Sequence, residues 1–249
     1  MGVGDMNVDV FTREFSVSFR HIDRGGLLTP VAALDYLEEV ASGHAEALGV
    51  GYEAMIEKRQ AWVLSRISVR MDRRPRFHEK IAVSSWPRGH DRLFAVRDYD
   101  MRADGQPAVR ARSSWIILDL DKRRPVRPQE IMDKLPLNEG KNALEESAAA
   151  LDETAGLSKV AERKALYSDL DFNGHVHNTR YMQWICDLLD PEKIEKATSI
   201  NFDLNYLKEI TASSVTELWL AGDNGVYHIE GRQNQKPVFK ARVALQPSP

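Results

Sequence analysis

The sequence predicts an α+β protein made of two tandem copies of one unit, each a long helix wrapped by a curved antiparallel sheet. Three observations carry this. One amphipathic helix near the N-terminus is followed by four short alternating stretches, and packing the two against each other gives each element a place to bury its single apolar face. The order strand, helix, four strands then returns in the second half. Moving that half back by 148 positions, the offset that lays Tyr167 on Phe19, also lays Asp171 on Asp23, Gly174 on Gly26 and Trp184 on Tyr36.

Val10 to Phe19 alternates apolar and polar residues and enters the glycine turn of FRHIDRGGLL, so it reads as a strand. Thr29 is suited to cap a helix with Pro30 at its first position, Leu34, Leu37, Val40 and Ala41 give its buried stripe, and Gly49 ends it. At about 19 residues this is expected to be the longest helix in the chain. Ala61 to Met71, Lys80 to Trp86, Leu93 to Met101 and Ala108 to Leu120 follow as strands. The run RGHD reads as the turn before the third of them, and Asp104-Gly105 as the hairpin before the fourth.

Met132 to Lys159 is polar and alanine-rich, the composition of a linker, with a short helix expected from about Asn142 to Leu151. Val160 to Tyr167 then reads as a strand. Asn178 opens a helix with Tyr181, Trp184, Ile185 and Leu188 on one face and Asp190-Pro191 as its stop. Thr198 to Tyr206, Ser214 to Ala221, Gly225 to Arg232 and Val238 to Leu245 complete the second sheet. The expected organisation is a first unit over 8–131, a linker over 132–159 and a second unit over 160–249.

A formal net charge of −3 at pH 7 argues against binding nucleic acid by bulk electrostatics. No apolar run approaches the length needed to cross a bilayer, and MGVGDMNVDVF lacks the basic, apolar and small-residue order of a secretory signal, so a cytoplasmic protein is expected. The single cysteine, Cys186, excludes an internal disulfide and a cysteine-rich zinc site. No cofactor is expected. His175 and His177 with Asp171 could pair on a metal, but a third strong ligand and a zinc spacing are both missing, so none is expected.

The densest polar stretch is Tyr167 to Leu189, YSDLDFNGHVHNTRYMQWICDLL. Asp169, Asp171, Asn173, His175 and His177 occupy every second position, and the pattern turns helical at Asn178. The cluster therefore precedes a helix N-terminus, where unpaired N–H groups and the positive end of the dipole stabilise an anion, including the oxyanion of an attacked carbonyl. Asp169 reads as a turn or capping residue, Asp171 equally as turn residue or functional carboxylate, and His175 gains weight from its company with Asn173.

Ser168, Asp169, Asp171, Asn173, His175, Val176 and Asn178, followed by Tyr181 and Trp184, resemble the signature of acyl-acyl carrier protein thioesterases. That family usually has Asn where this chain has His177. The order of elements is similar to the hotdog fold, so the resemblance implies two tandem hotdogs. It implies hydrolysis of acyl-acyl carrier protein thioesters to free fatty acid, the partner being acyl carrier protein with its chain on 4'-phosphopantetheine. Plant-type members carry Tyr-x-x-Glu-Cys after the motif; here the run is Tyr206, Leu207, Lys208, Glu209, Ile210, so the carboxylate is present and the thiol is not. The site residues implied are Asp171, Asn173, His175 and Glu209, the last resting wholly on the resemblance.

Ile210 cannot attack a thioester, and the 3.6-residue period puts Cys186 on the helix face opposite the Tyr181, Trp184 and Leu188 stripe. Direct attack by water is therefore expected. Glu209 and Asp171 would hold or deprotonate it with His175, Asn173 would orient thioester or water, and the N–H groups of Val176 to Asn178 would meet the oxyanion. The 148-position offset lays Asn173 on Gly25 and His175 on Leu27, so the chemistry is expected in the second copy alone.

Competing readings are an acyl-CoA thioesterase of the same fold, a hotdog hydratase and a non-catalytic acyl-thioester-binding protein. The hydratase motif, Asp-x-Asn-Pro-x-His, has a proline and one residue more than Asp171 to His175. Two basic clusters, Arg73, Arg74, Arg76 and Lys80, and Lys122, Arg123, Arg124 and Arg127, read as solvated rims or as a patch for an acidic carrier. Leu34 and Leu37 are the candidate wall of an acyl pocket. A homodimer is admitted but not required, since two fused copies already supply the pairing that single ones obtain by dimerising.

Overall fold

The computed structural model describes residues 9–247 apart from Pro128, Lys134, Leu137 and Glu139. Strand β1 (Phe11–Ser16) leads through a 3-10 turn at Phe19–His21 into helix α1 (Pro30–Ala47). Thr29 caps it as expected, its Oγ1 accepting from the Ala32 N–H at 3.1 Å, and Gly49 leaves it at φ +69°. Short α2 (Tyr52–Glu57) precedes β2 (Gln60–Met71), β3 (Lys80–Asp91), β4 (Phe94–Ala103) and β5 (Gln106–Asp119). Asp104 and Gly105 both take positive φ, 47° and 76°, the geometry a tight two-residue hairpin requires.

The RGHD turn is a correction. Strand β3 continues through those residues with a bulge between Pro87 and Gly89, which absorbs the proline that cannot donate to the ladder. The reversal comes later, at Arg92-Leu93.

After β6 (Arg124–Val126) and α3 (Gln129–Met132) the chain crosses to the second half, and the helix expected from Asn142 to Leu151 does not form. Side chains on the sheet face opposite α1 claim its backbone instead. The Ala143 N–H donates to Asp98 Oδ2 at 2.9 Å, Ala149 N–H to Ser68 Oγ at 3.2 Å and Leu151 N–H to Asn205 Oδ1 at 2.8 Å. Alanine propensity, worth tenths of a kcal/mol per residue, loses to these specific partners.

The second half comprises β7 (Ser158–Lys164), a 3-10 turn at Tyr167–Asp169, α4 (Asn178–Cys186), α5 (Pro191–Lys196), β8 (Ala197–Tyr206), β9 (Val215–Asp223), β10 (Val226–Gln233) and β11 (Lys236–Pro247). Its helix is not long: α4 has 9 residues against 18 in α1. Asp190-Pro191 is not a stop but the start of α5, with the Asp190 side chain accepting from the Glu192 N–H at 2.9 Å.

All strands join one antiparallel sheet. Outward from its middle the order is β2, β5, β4, β3, β1 on one side and β8, β11, β10, β9, β7 on the other, the same order twice. The halves meet where β2 pairs with β8, from Arg66 opposite Asn205 to Met71 opposite Ile200. Helices α1 and α4 touch on one face over a shared core that includes Leu37, Val40, Val69, Trp184, Phe202 and Phe239. This is the tandem hotdog arrangement. Among the described residues no helix is long and apolar enough to cross a membrane.

On the opposite face, the fully buried Asp98 takes a two-pronged bond from Arg112, at 2.6 and 2.7 Å, as well as the linker N–H. Removing one partner strands a buried charge. Asp98→Ala is expected to cost about 3–5 kcal/mol in urea unfolding, and Asp98→Leu with Arg112→Met markedly less.

Candidate active site

The loop ahead of α4 is built by one carboxylate. Asp171 Oδ1 accepts from the N–H groups of Asn173 at 2.8 Å and His175 at 3.1 Å. Its own N–H bonds the His175 carbonyl at 2.8 Å, while Gly174 turns the chain at φ +78°. In the first copy Asp23 does the same with Gly25 and Leu27, at 2.8 and 3.1 Å, and Gly26 turns at φ +75°. The aspartate at this position, Asp23 or Asp171, thus forms the loop in both copies. The copies differ at the second oxygen: buried Arg74 holds Asp23 Oδ2, whereas Asp171 Oδ2 has no hydrogen-bond partner among the described residues.

The loop then pairs with the segment after β8. Val176 N–H bonds the Ile210 carbonyl at 2.8 Å and His175 bridges Thr211, which brings Glu209 alongside. His175 Nε2 lies 3.4 Å from Glu209 Oε2, with 32% and 52% of their side chains exposed. The sequence-predicted pair therefore meets, within reach of solvent. Asn173 is exposed on the same loop, and its amide makes no hydrogen bond among the described residues.

Two of the three expected oxyanion donors are already engaged. Val176 N–H serves Ile210, and His177 N–H bonds the Asp169 carbonyl at 2.8 Å. Of that set only the Asn178 N–H, first in α4, has no acceptor among the described residues. Asp169 is structural: its carboxylate accepts from Leu166 N–H at 2.9 Å and from the Trp184 indole at 3.3 Å.

His177, read from sequence as a departure from the family pattern and as a candidate metal ligand with His175, has a definite place. It caps α4 through Thr179, and its Nε2 lies 3.2 Å from Oε1 of Glu38 on α1. The hydrogen bond to Glu38 raises the imidazole above its usual pKa against the opposing effect of burial, and Asp35 and Asp171 add to the rise. No local spacing could reveal this pair, because its members lie in different halves.

Other residues singled out in the sequence have these places. Burial pushes the Cys186 thiol up to about 12, far from a reactive thiolate. Leu34 and Leu37, the candidate pocket wall, are buried, at 4% and 1% exposure. Arg73 pairs with Glu79 at 2.7 Å and Arg74 is buried on Asp23, so half of the first basic cluster is engaged in internal ion pairs, while Arg76 and Lys80 are exposed. Lys122, Arg123, Arg124 and Arg127 are exposed. Among the described residues no group of three or more His, Cys, Asp or Glu side chains is placed to hold a metal ion.

Two hotdog copies fused in one sheet, with a His–Glu pair at one helix entrance, define the double hotdog class. An acyl-ACP thioesterase from Bacteroides thetaiotaomicron superposes with a TM-score of 0.86 at 27% identity, covering 95% of this chain and 98% of that one. The 12:0-ACP thioesterase of Umbellularia californica shares the fold at a TM-score of 0.83 and 21% identity, covering 99% and 100%. The chain belongs to the acyl-ACP thioesterase family, matching its N-terminal domain over residues 8–135 and its C-terminal domain over 153–242. The chloroplastic palmitoyl-acyl carrier protein thioesterase of Cuphea hookeriana is 24% identical over 99% of this chain, which spans 65% of that protein's length.

Two outcomes follow from the geometry. Cys186→Ala is expected to leave any thioesterase activity unchanged, and the native thiol to resist thiol reagents until the chain unfolds. Because the His177 pKa is raised by folding, its stabilisation is complete below the unfolded value of about 6.5 and is lost as pH rises through the folded value. The difference in urea midpoint between the parent protein and His177→Asn should therefore shrink from about pH 6 to about pH 9.

Proposed function

We propose that the protein hydrolyses acyl chains from acyl carrier protein, releasing free fatty acid, with water as the nucleophile. The observation that carries this is the 3.4 Å approach of His175 to Glu209 beside the entrance of α4, where the first copy has Leu27 at the position of His175. Water held by Glu209 and His175 attacks the thioester carbon and gives its proton to this pair. The oxyanion so formed faces the Asn178 N–H and the positive end of α4. Collapse breaks the carbon–sulfur bond, and the departing thiolate, whose conjugate acid has a pKa of roughly 8.5, takes up the proton. The exposed Asn173 amide is left to orient the thioester carbonyl.

Between the two carboxylates, Glu209 is the better base in this reading. Asp171 has one oxygen committed to two N–H donors and keeps the loop in shape, whereas among the described residues no hydrogen bond ties the Glu209 carboxylate to backbone. A carrier protein is supported by family membership and by the exposed cluster Lys122, Arg123, Arg124 and Arg127, which suits an acidic partner. A cytoplasmic site of action belongs to the same proposal, its support being a single free cysteine.

Hydrolysis of acyl-carrier-protein thioesters is expected to fall by about 10²–10⁴ in kcat/KM for Glu209→Gln and His175→Ala. Near-parental rates in both would remove the mechanism. The same assay on acyl-CoA separates the nearest alternative, since equal or better turnover there would make CoA the carrier.

A further inference from the structure

On the sheet face opposite α1, strands β2, β3, β4 and β5 and the segment joining the halves border an open cavity of about 400 Å³. Four guanidinium groups line it, those of Arg66, Arg88, Arg92 and Arg112, together with the His90 imidazole. Asp91 in the lining, Asp98 behind Arg112 and Glu145 near Arg112 offset part of this charge. Four arginines against these three carboxylates leave the pocket net positive.

The linker accounts for part of this set. Arg112 donates to the Glu146 carbonyl at 3.0 Å and Arg88 to that of Asn138. It does not account for the rest. Arg66 lies over the Phe94 ring at 5.1 Å and has no ion pair among the described residues, and neither has exposed Arg92 on the β3–β4 turn. Arg88 Nε is buried without an acceptor, since Asp98 Oδ2, already bonded to Arg112 and Ala143, is 3.7 Å away. A buried donor without an acceptor, two guanidiniums without an ion pair and a net positive lining match the demands of a phosphate group, whose oxygens suit forked arginine donors.

We propose that this cavity binds a phosphate oxyanion between Arg66, Arg88 and Arg92. The phosphate is either free or the ester phosphate of a pantetheine arm, and the site is separate from the His175–Glu209 pair. Binding there would tie β2 and β3 to Ser147 and Ala148 of the linker, so occupancy would stiffen the connection between the two copies.

The test uses the full chain and no thioester, so its outcome is independent of the hydrolytic reading. Calorimetric titration with inorganic phosphate, at ionic strength held constant with chloride, is expected to give one saturable site per chain. Arg66→Gln and Arg92→Gln should each weaken it by about tenfold or more, and Lys122→Gln should leave it unchanged. Arg92 is exposed, so its effect cannot be laid to misfolding. Absence of saturable binding, or parental affinity in both arginine variants, overturns the proposal. Competition then identifies the source. Displacement of phosphate by 4'-phosphopantetheine but not by pantetheine assigns the site to the arm, displacement by neither assigns it to free phosphate, and displacement by pantetheine itself overturns phosphate recognition.

Discussion

The antiparallel register of β2 against β8 is the constraint on which the rest of the molecule depends. It turns the strands of the two halves into one sheet, with the same order of five strands read outward on either side and β6 added beside β5. With the sheets joined there, α1 and α4 have to share a face, and each covers apolar surface the other leaves open. Contacts between the halves follow from that placement. Glu38 of α1 reaches His177 at the start of α4, and Arg74, bonded to Asp23 in the first copy, donates to the Ile194 carbonyl of α5 in the second at 3.0 Å. A slip of one residue in this pairing would turn Val69 and Phe202 to the wrong face, so the register is fixed by burial.

Within that frame the two copies separate architecture from chemistry at the level of single atoms. The loop before each helix is held by an aspartate Oδ1 accepting from the second and fourth N–H groups ahead of it, at distances that agree between copies. What the loop carries is then free to vary. Gly25 and Leu27 in the first copy make it a plain turn locked by Arg74, whereas Asn173 and His175 in the second leave an exposed amide and an imidazole facing Glu209. Only His175 of these makes a contact that chemistry could use, and it does so because Val176 pairs with Ile210.

Most of the fold was legible because most of it rests on local pattern. Strands with one buried face alternate, α1 carries its stripe and its Thr29-Pro30 start, and the duplicated glycines mark the same turn twice. The misreadings share a cause. RGHD has turn residues, yet the ladder between β3 and β4 continues through them by a bulge. The 142–151 segment has helical composition, yet Ser68, Asp98 and Asn205 hold its backbone from far along the chain. Asp190-Pro191 was the right signal for a boundary, and whether it closes one helix or opens the next depends on whether a helix continues on its far side. At the site, the motif located Asp171, Asn173 and His175, but not that the Val176 and His177 N–H groups are taken up by Ile210 and Asp169. The partner of His177 was out of reach for the same reason, being 139 positions away, the separation of Glu38 from His177 in the chain.

The contrast between Asp171 and Glu209 suggests how such a site divides its labour. A carboxylate that accepts two backbone N–H bonds is pre-positioned, but the oxygen so used is unavailable to substrate, and moving it would collapse the loop that presents His175. A carboxylate that is half exposed and tied only to an imidazole at 3.4 Å can rotate, admit a water between itself and that ring, and tighten when substrate excludes solvent. Fixed and mobile carboxylates thus solve different problems, and exchanging them would serve neither. Under the proposed mechanism this is why the first copy can keep its aspartate and do no chemistry. Asp23 retains the half of the arrangement that folds, and without a histidine beside a mobile carboxylate there is nothing in its loop to activate water.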